Sequence, residues 1–470
     1  MSIVDAPLAD RDYGEKVTAV EPGGVEFIPL SERHGNPIQL LWTWSSPNFE
    51  FATVFVGILG TWAFGLTFGQ ATLAIVLGTA LGCITHAILS AEGPSVGLPQ
   101  MVAGRSAFGF VGNFLPSAVN AVAGGIGWFA VNSVSGALAL AALTDLPNLL
   151  CLLIIVVVQV AVAFLGHNLV HAWERYAFPV LGLIFLIASV IIFSKADFGA
   201  STGGGGFAGF TLMTSACFGY AAGWNPYAAD YTRYFAPDTS KLKTGLYAAL
   251  GVFVSCVLLL LAGAAAVSVM DPDVLAANPT AAFTEVLPTA MEKLTLLAIA
   301  IGAVSANAIN IYSGAISLMA LEIKIPSHIA RAVVALVFGV VGFFVAWSGL
   351  HDAGAKYEDF LLIIAYWIAA WLGVVLTDLY LRRGTRIEGA LVTRGYTNWA
   401  GPIAFVVGAV GSVVLFSNQE KFVGAIAKHS SVGDLTPLVG FVIAAALYAV
   451  LFKPLAGTVP AAPAEIPSEA

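Results

Sequence analysis

Two tryptophans, four asparagines and one glutamate are the residues of this 470-residue chain whose types and surroundings suit chemistry. Trp128 and Asn132 are four apart, so on a helix they share a face. Ser305, Asn307, Asn310, Tyr312 and Ser313 crowd into nine residues of an otherwise apolar run. Asn48 and Glu50 follow Pro47, and Trp224 stands just before Asn225-Pro226. An amide inside an apolar run costs free energy unless it is paired. One such asparagine alone reads as glue between helices. Asparagines accompanied by tryptophans suit a flat polar ring better, with indoles stacking on its faces and amides reading its edge. Glu50 is ionisable in the same surroundings: it carries a proton, or it faces an aqueous vestibule.

The elements that must position these groups are membrane helices. Only 10% of residues are charged and 58% are hydrophobic, with a mean hydropathy of +0.87. A soluble domain carries roughly 25% charge, and a disordered chain has far less apolar content. An outer-membrane barrel alternates polarity along each strand, whereas these runs are unbroken. Twelve runs are long enough to span a bilayer: 39–65, 68–91, 111–143, 148–166, 176–194, 209–229, 243–269, 294–320, 327–348, 359–381, 399–416 and 436–453. The third is long enough to tilt or to project. With a cytoplasmic N-terminus, fifteen of the twenty Lys and Arg fall on cytoplasmic segments and five on the other side. That bias predicts a multi-pass protein of the plasma (inner) membrane with both termini cytoplasmic. Residues 1–36 contain no apolar signal-peptide core, so the first span is expected to act as its own insertion signal. Residues 454–470, rich in Pro and Ala, are expected to form a disordered cytoplasmic tail.

Two interruptions organise the runs. The first run contains Trp44-Ser45-Ser46-Pro47-Asn48-Phe49-Glu50, and the sixth contains Gly223-Trp224-Asn225-Pro226. Proline removes a helix donor and clashes with the preceding turn. The freed backbone groups then need protein, water or a bound solute. Either break alone is also what an ordinary proline kink gives. Five spans apart, with polar residues beside each, they predict an inverted-repeat transporter that binds its solute at the breaks. The fold class expected is all-α integral membrane with twelve transmembrane helices. Residues 37–195 form the first repeat, 196–382 the second, and 383–453 two appended helices.

Other function classes lack their signatures. A membrane-embedded enzyme wants paired catalytic groups such as an HExxH helix, and a nucleotide-driven pump wants GxxxxGK[ST]; neither string occurs. A channel wants repeated pore loops or rings of like residues. No basic patch with interleaved aromatics suggests nucleic acid. Cys83, Cys151, Cys217 and Cys256 lie in apolar runs without CxxC or Cys/His clustering. They read as small buried hydrophobes, with no metal and no resident cofactor expected. His86 reads as packing. His171, Glu174 and Arg175 read as the solvated face of a short interfacial helix. The partners expected are a small solute and the lipid bilayer.

Four segments carry a resemblance. They are Asn225-Pro226-Tyr227-Ala228-Ala229-Asp230-Tyr231-Thr232-Arg233-Tyr234-Phe235 after the second break, and Gly97-Leu98-Pro99-Gln100-Met101 with Arg105 and Phe108-Gly109 after the second run. The others are Asn310-Ile311-Tyr312-Ser313 in the eighth run and Asp378 with Tyr380 at the end of the tenth. Over roughly residues 37–450 the chain resembles the cytosine/purine permeases of the nucleobase–cation symporter-1 family. The resemblance implies a symporter of the five-plus-five inverted-repeat, amino-acid/sodium symporter-like fold that imports a nucleobase with a cation. It places the stacking tryptophan and edge-binding amide on Trp128 and Asn132, and the further substrate asparagine on Asn310. The aromatic of the sixth run falls on Trp224, with Tyr220 in reserve, and Asn48 lies at the first break. A sodium site would lie between the carbonyls of Asn48 and Phe51 and two hydroxyls of the eighth run, where this chain has Val304 and Ser305. One hydroxyl is missing, which favours co-transported H+ over Na+, with Glu50 as the group to carry it. Asp230 and Arg233 read as a structural ion pair or gate contact. An allantoin- or hydantoin-type heterocycle, or an amino acid, remains an alternative solute on the same fold.

Overall fold

The computed structural model describes residues 24–461 apart from 165–166, 201–202, 324–326, 351–352, 420 and 430. Residues 1–23 and 462–470, which hold most of the two expected tails, lie outside the described residues. The twelve apolar runs fall on fifteen main helices. These are α1 (Gln39–Ser45), α2 (Phe51–Trp62), α3 (Phe68–Val96), α4 (Phe114–Val122), α5 (Phe129–Thr144), α6 (Asn148–Phe164), α7 (His167–Lys195) and α8 (Gly206–Ala222). They continue with α9 (Ala228–Thr232), α10 (Lys241–Ala266), α11 (Thr289–Met319), α12 (Ser327–Gly349), α13 (Ala353–Leu381), α14 (Ala400–Phe416) and α15 (Thr436–Leu455). Among the described residues, seven helices are long and apolar enough to cross a membrane, and four shorter apolar helices accompany them.

The first run breaks where Pro47 stands. A 3-10 turn over Ser46–Asn48 follows α1, and Glu50 is extended, with φ −151° and ψ 157°, before α2 begins. The freed groups are satisfied locally. Asn48 Nδ2 donates to the Trp44 carbonyl at 2.6 Å, Thr53 Oγ1 donates to the Asn48 carbonyl at 2.6 Å, and Glu50 accepts the Ala52 N–H as the cap of α2. The sixth run breaks in the same manner, with a 3-10 turn over Asn225–Tyr227 between α8 and α9. Here Asn225 donates to Thr85 Oγ1 at 2.6 Å and lies 3.2 Å from His86 Nδ1. His86 is buried edge-on against Trp44, so it is a packing residue that also steadies this break.

A third interruption was not expected. The long third run is divided by a π-helical turn over Ala123–Trp128, between α4 and α5. Its cause lies in Gly124, Gly125 and Gly127. A Cβ on Gly124 would sit on the Tyr227 hydroxyl, so the glycine lets the wide turn abut the second break. Glycine does equivalent work at Gly302 on α11, where a Cβ would lie 2.1 Å from the Phe49 carbonyl oxygen.

Two of the family-like segments are clamps. Fully buried Arg105 donates to the carbonyls of Leu391 and Ala320 and to Glu322 at 3.1 Å. Asp378 takes Ser106 at 2.7 Å, Arg382 at 2.7 Å and Tyr448 at 2.5 Å. These bonds tie the loop after α3 to α13, α15 and the segment before α14. Tyr380, its companion in the motif, is exposed. The same end of the bundle is closed by residues 24–38. Arg33 donates to Pro94 O and Phe235 O, the His34 N–H to Tyr234 O, and Arg233 to Gly24 O.

One expectation is overturned. His171, Glu174 and Arg175 are not a solvated interfacial helix: they belong to the 29-residue α7. Glu174 is fully buried, His171 lies 3.0 Å from Thr43 Oγ1, and Arg175 alone of the three is exposed. The polar cluster depresses local hydropathy, although one face of the helix there packs on the first break. The GxSxG spacing of Gly93-Pro94-Ser95-Val96-Gly97 ends α3 and is no nucleophile elbow, since Ser95 donates to Glu92 O within the same helix.

The contact at Gly302 is directly testable. Gly302→Ala forces α11 away from the break and is expected to cost about 1–3 kcal/mol of stability. Thermal unfolding of the detergent-solubilised protein checks it, and an unchanged midpoint would contradict so close an approach.

Candidate functional site

Between the two breaks lies a small cavity walled by Pro47, Trp128, Asn132, Tyr220, Gly223, Trp224 and Ala306. Each part comes from an interruption or its neighbour. The π-turn delivers Trp128, and one helical turn later α5 delivers Asn132. The C-terminal end of α8 delivers Tyr220, and the turn after it delivers Trp224. The rings stand around the cavity, with Trp128 edge-on to Tyr220 at 5.5 Å between centroids. The two breaks are joined by one hydrogen bond, from Trp224 Nε1 to Asn48 Oδ1 at 3.0 Å. Tyr220 and Thr53 share a hydrogen bond of 2.5 Å between hydroxyls, which ties α8 to α2. The walls stand close: the cavity offers about 10 Å3, near the space of one water molecule.

Behind Asn132 runs a row of amides. Asn132 Nδ2 donates to Asn307 Oδ1 at 3.0 Å, and Asn310 Nδ2 donates to the same oxygen at 3.2 Å. Asn307 in turn donates to the Phe129 carbonyl at 2.9 Å and to Ser133 Oγ at 3.2 Å. Asn310 Oδ1 is buried without a partner. Of the residues singled out from sequence, Trp128, Asn132, Trp224 and Tyr220 wall the cavity. Asn48 is bonded to Trp224, and Asn310 reaches the cavity wall through Asn307. Trp224 and Tyr220, read as alternatives, are both present. Asn307 is the hub, a residue to which the sequence reading assigned no role of its own. The signal was available, since Asn307 and Asn310 are three apart and therefore share a face.

A larger cleft of about 240 Å3 lies beyond the ring wall, lined among others by Phe51, Phe55, Val131, Ser135, Tyr357 and Phe360. Trp128 separates the two spaces, standing edge-on to Phe360 at 5.1 Å and to Tyr357 at 6.3 Å. Glu50 is oriented to this side. One carboxylate oxygen accepts from Ser135 Oγ, the other from the Ala52 N–H at 2.5 Å.

The residues named for a cation are divided between these spaces. Phe51 lines the large cleft, while Ser305 lies on the opposite side of the break. Ser305 Oγ accepts from Trp173 Nε1 at 2.8 Å, and Ser46 Oγ faces it at 3.5 Å. The contact between the first break and Ser305 is thus made by Ser46. Asp230 and Arg233 are buried at the closed end. Asp230 accepts the Gln100 N–H at 2.9 Å, and Arg233 donates to Gly24 O at 2.7 Å and to the Tyr312 hydroxyl at 3.3 Å.

Comparisons with known proteins agree with this architecture. Residues 27–440 match the family model described as permease for cytosine/purines, uracil, thiamine, allantoin. The purine-cytosine permease fcyB of Emericella nidulans is 29% identical over 452 residues, covering 91% of this chain and 87% of that protein. The purine-cytosine permease FCY2 of Saccharomyces cerevisiae is 29% identical over 434 residues, covering 87% and 80%. Among solved structures, the closed conformation of Mhp1, a nucleobase-cation-symport-1 family transporter with bromovinylhydantoin bound, superposes with a TM-score of 0.73 at 20% identity over 93% of this chain and 96% of that one. With the family model spanning most of its length, this chain belongs to the permeases for cytosine/purines, uracil, thiamine and allantoin, and is a multi-pass membrane transporter.

Proposed function

We propose that this protein imports a planar nucleobase, cytosine or a purine, by symport with a cation under alternating access. One observation carries the reading. Trp128, Tyr220 and Trp224 present ring faces and edges, and Asn132 presents an amide, to a single cavity between two broken helices. That is an arrangement for a flat, polar-edged solute, and no cation stands in it to hold a carboxylate. Asn310 and Asn48 support the site from behind, each through one hydrogen bond. The breaks in the first and sixth runs support twelve spans with 37–195 and 196–382 as inverted repeats. The Lys/Arg bias supports cytoplasmic termini in the plasma membrane, with Asp230 and Arg233 at a cytoplasmic gate.

The ion is a proton in preference to sodium. Asn48, Glu50 and Phe51 at the first break and Ser305 on α11 are the groups beside which it passes. Val304 takes the place of a second hydroxyl, and the Ser305 hydroxyl already accepts from Trp173. Uptake is therefore expected to collapse on addition of a protonophore and to change little when choline replaces sodium. Sodium-dependent uptake that survives the protonophore would contradict this.

Competition for labelled cytosine uptake tests the solute. Purines and cytosine are expected to compete and free amino acids not to; competition by an amino acid or a hydantoin alone would reassign the solute. Removing one buried partner of a polar ring costs about 1–3 kcal/mol, or roughly ten- to a hundredfold in affinity. Asn132→Ala, Asn307→Ala and Asn310→Ala are each expected to lose that much, and Trp128→Ala comparably through lost stacking. Transport assays alongside surface-expression controls check this, and near-normal uptake by all four variants would place the pocket elsewhere.

A further inference from the structure

His86 on α3 is fully buried and belongs to neither break, yet it touches both. Its ring stands edge-on to Trp44 at 4.5 Å between centroids, and its Nδ1 lies 3.2 Å from Asn225 Oδ1. With the bonds already described, these contacts close a circuit. Asn225 follows Trp224 in the chain, Trp224 Nε1 donates to Asn48 Oδ1 at 3.0 Å, and Asn48 Nδ2 donates to the Trp44 carbonyl at 2.6 Å. Trp44 and Asn48 come from the first interrupted run, Trp224 and Asn225 from the sixth; His86 alone comes from a continuous helix. That helix is a close-packed platform. A Cβ on Gly78 would lie 2.4 Å from Thr214 O, and one on Gly82 2.8 Å from Ala222 N, so α3 rests directly on the backbone of α8 just before the second break.

The neighbours assign the hydrogen on the imidazole. The Thr85 hydroxyl donates to the Gly82 carbonyl at 2.8 Å, so its oxygen accepts from Asn225 Nδ2 at 2.6 Å. That turns Asn225 Oδ1 toward His86, and an amide oxygen only accepts. His86 therefore carries a hydrogen on Nδ1 and donates it to Asn225. Nε2 has no partner among the described residues, so this bond is the one the ring makes. Without it Asn225 Oδ1 is a buried acceptor left unpaired beside a broken helix, which is costly. We propose that His86 is a positioning residue for solute binding: its Nδ1–H holds Asn225, and with it Trp224, at the separation from the first break that sets the width of the cavity. This rests on the reading of that cavity as the solute site, and it adds to the site a residue that is not part of its wall.

Three substitutions separate donation from packing. In His86→Asn the side-chain amide can place an N–H where Nδ1–H stands; in His86→Gln it lies one bond farther out, in the place of Nε2; His86→Leu fills space without a donor. The full chain is reconstituted in liposomes, uptake of labelled cytosine and adenine is measured against concentration, and thermal unfolding of each purified protein is followed. His86→Asn is expected to keep a KM close to wild type, while His86→Gln and His86→Leu raise it about tenfold with the maximal rate little changed. Packing alone predicts the reverse order, because Gln and Leu come nearer to imidazole in volume than Asn does. That reverse order overturns the proposal, and so does an equal KM in all three variants, whether raised or unchanged. Loss of folding in all three, Asn included, overturns it too and leaves the ring a residue of the fold alone. Loss of folding in the Gln and Leu proteins only, with His86→Asn stable at a wild-type KM, supports it, since the donor is what distinguishes them. A wild type that neither takes up nor binds nucleobases overturns the importer reading instead. That result is read before any variant is made, and the thermal midpoints of the three variants then still decide between donation and packing.

Discussion

A backbone group that loses its helical partner inside hydrocarbon has no water to turn to, and the protein is arranged around meeting that demand at Pro47. The residues that meet it are the side chains that make the site. Asn48 spends its amide nitrogen on the Trp44 carbonyl, which leaves its oxygen for the Trp224 indole. Thr53 repairs the Asn48 carbonyl and thereby meets Tyr220. Glu50 caps α2 and thereby engages Ser135 on α5. Local repair and long-range assembly are the same bonds, so the first break cannot be straightened without loosening α5 and α8.

The two ends of the bundle are closed by different physics. At one end, residues 24–38 lie across the helix ends through Arg33, His34 and the Arg233 guanidinium, all bonded to carbonyls. At the other, the barrier between cleft and cavity is a set of edge-to-face aromatic contacts around Trp128. Hydrogen bonds to carbonyls are directional and exchange one for one, whereas ring contacts slide at little cost. The clamp of Arg105 and Asp378 lies at the same end as residues 24–38, holding the later helices to the loop after α3.

Much of this was legible in the sequence, because proline, apolar length and isolated amides act locally. Pro47 and Pro226 identified both breaks, and the four-residue spacing of Trp128 and Asn132 put them on one wall. What escaped were features that depend on neighbours. The π-turn is written as three glycines, whose meaning appears only when Tyr227, Phe338 and Phe360 are seen to occupy the missing side-chain space of Gly124, Gly125 and Gly127. Glu174 looked like a solvated charge because its own stretch of chain is polar; its burial is imposed by the break and α11 packing over it. Asn307 resembled one polar residue among five until its bonds on both sides were in place.

The amide row has a direction. Phe129 O can only accept, so the Asn307 nitrogen must face it and the Asn307 oxygen must face the other way. Asn132 and Asn310 then have to turn their nitrogens inward, and Asn310 is left with a bare oxygen. One main-chain carbonyl thus sets the polarity of three side chains. The result is a row whose unfilled position, the buried Asn310 oxygen, can be completed only by a donor, an N–H or an O–H, and never by another acceptor.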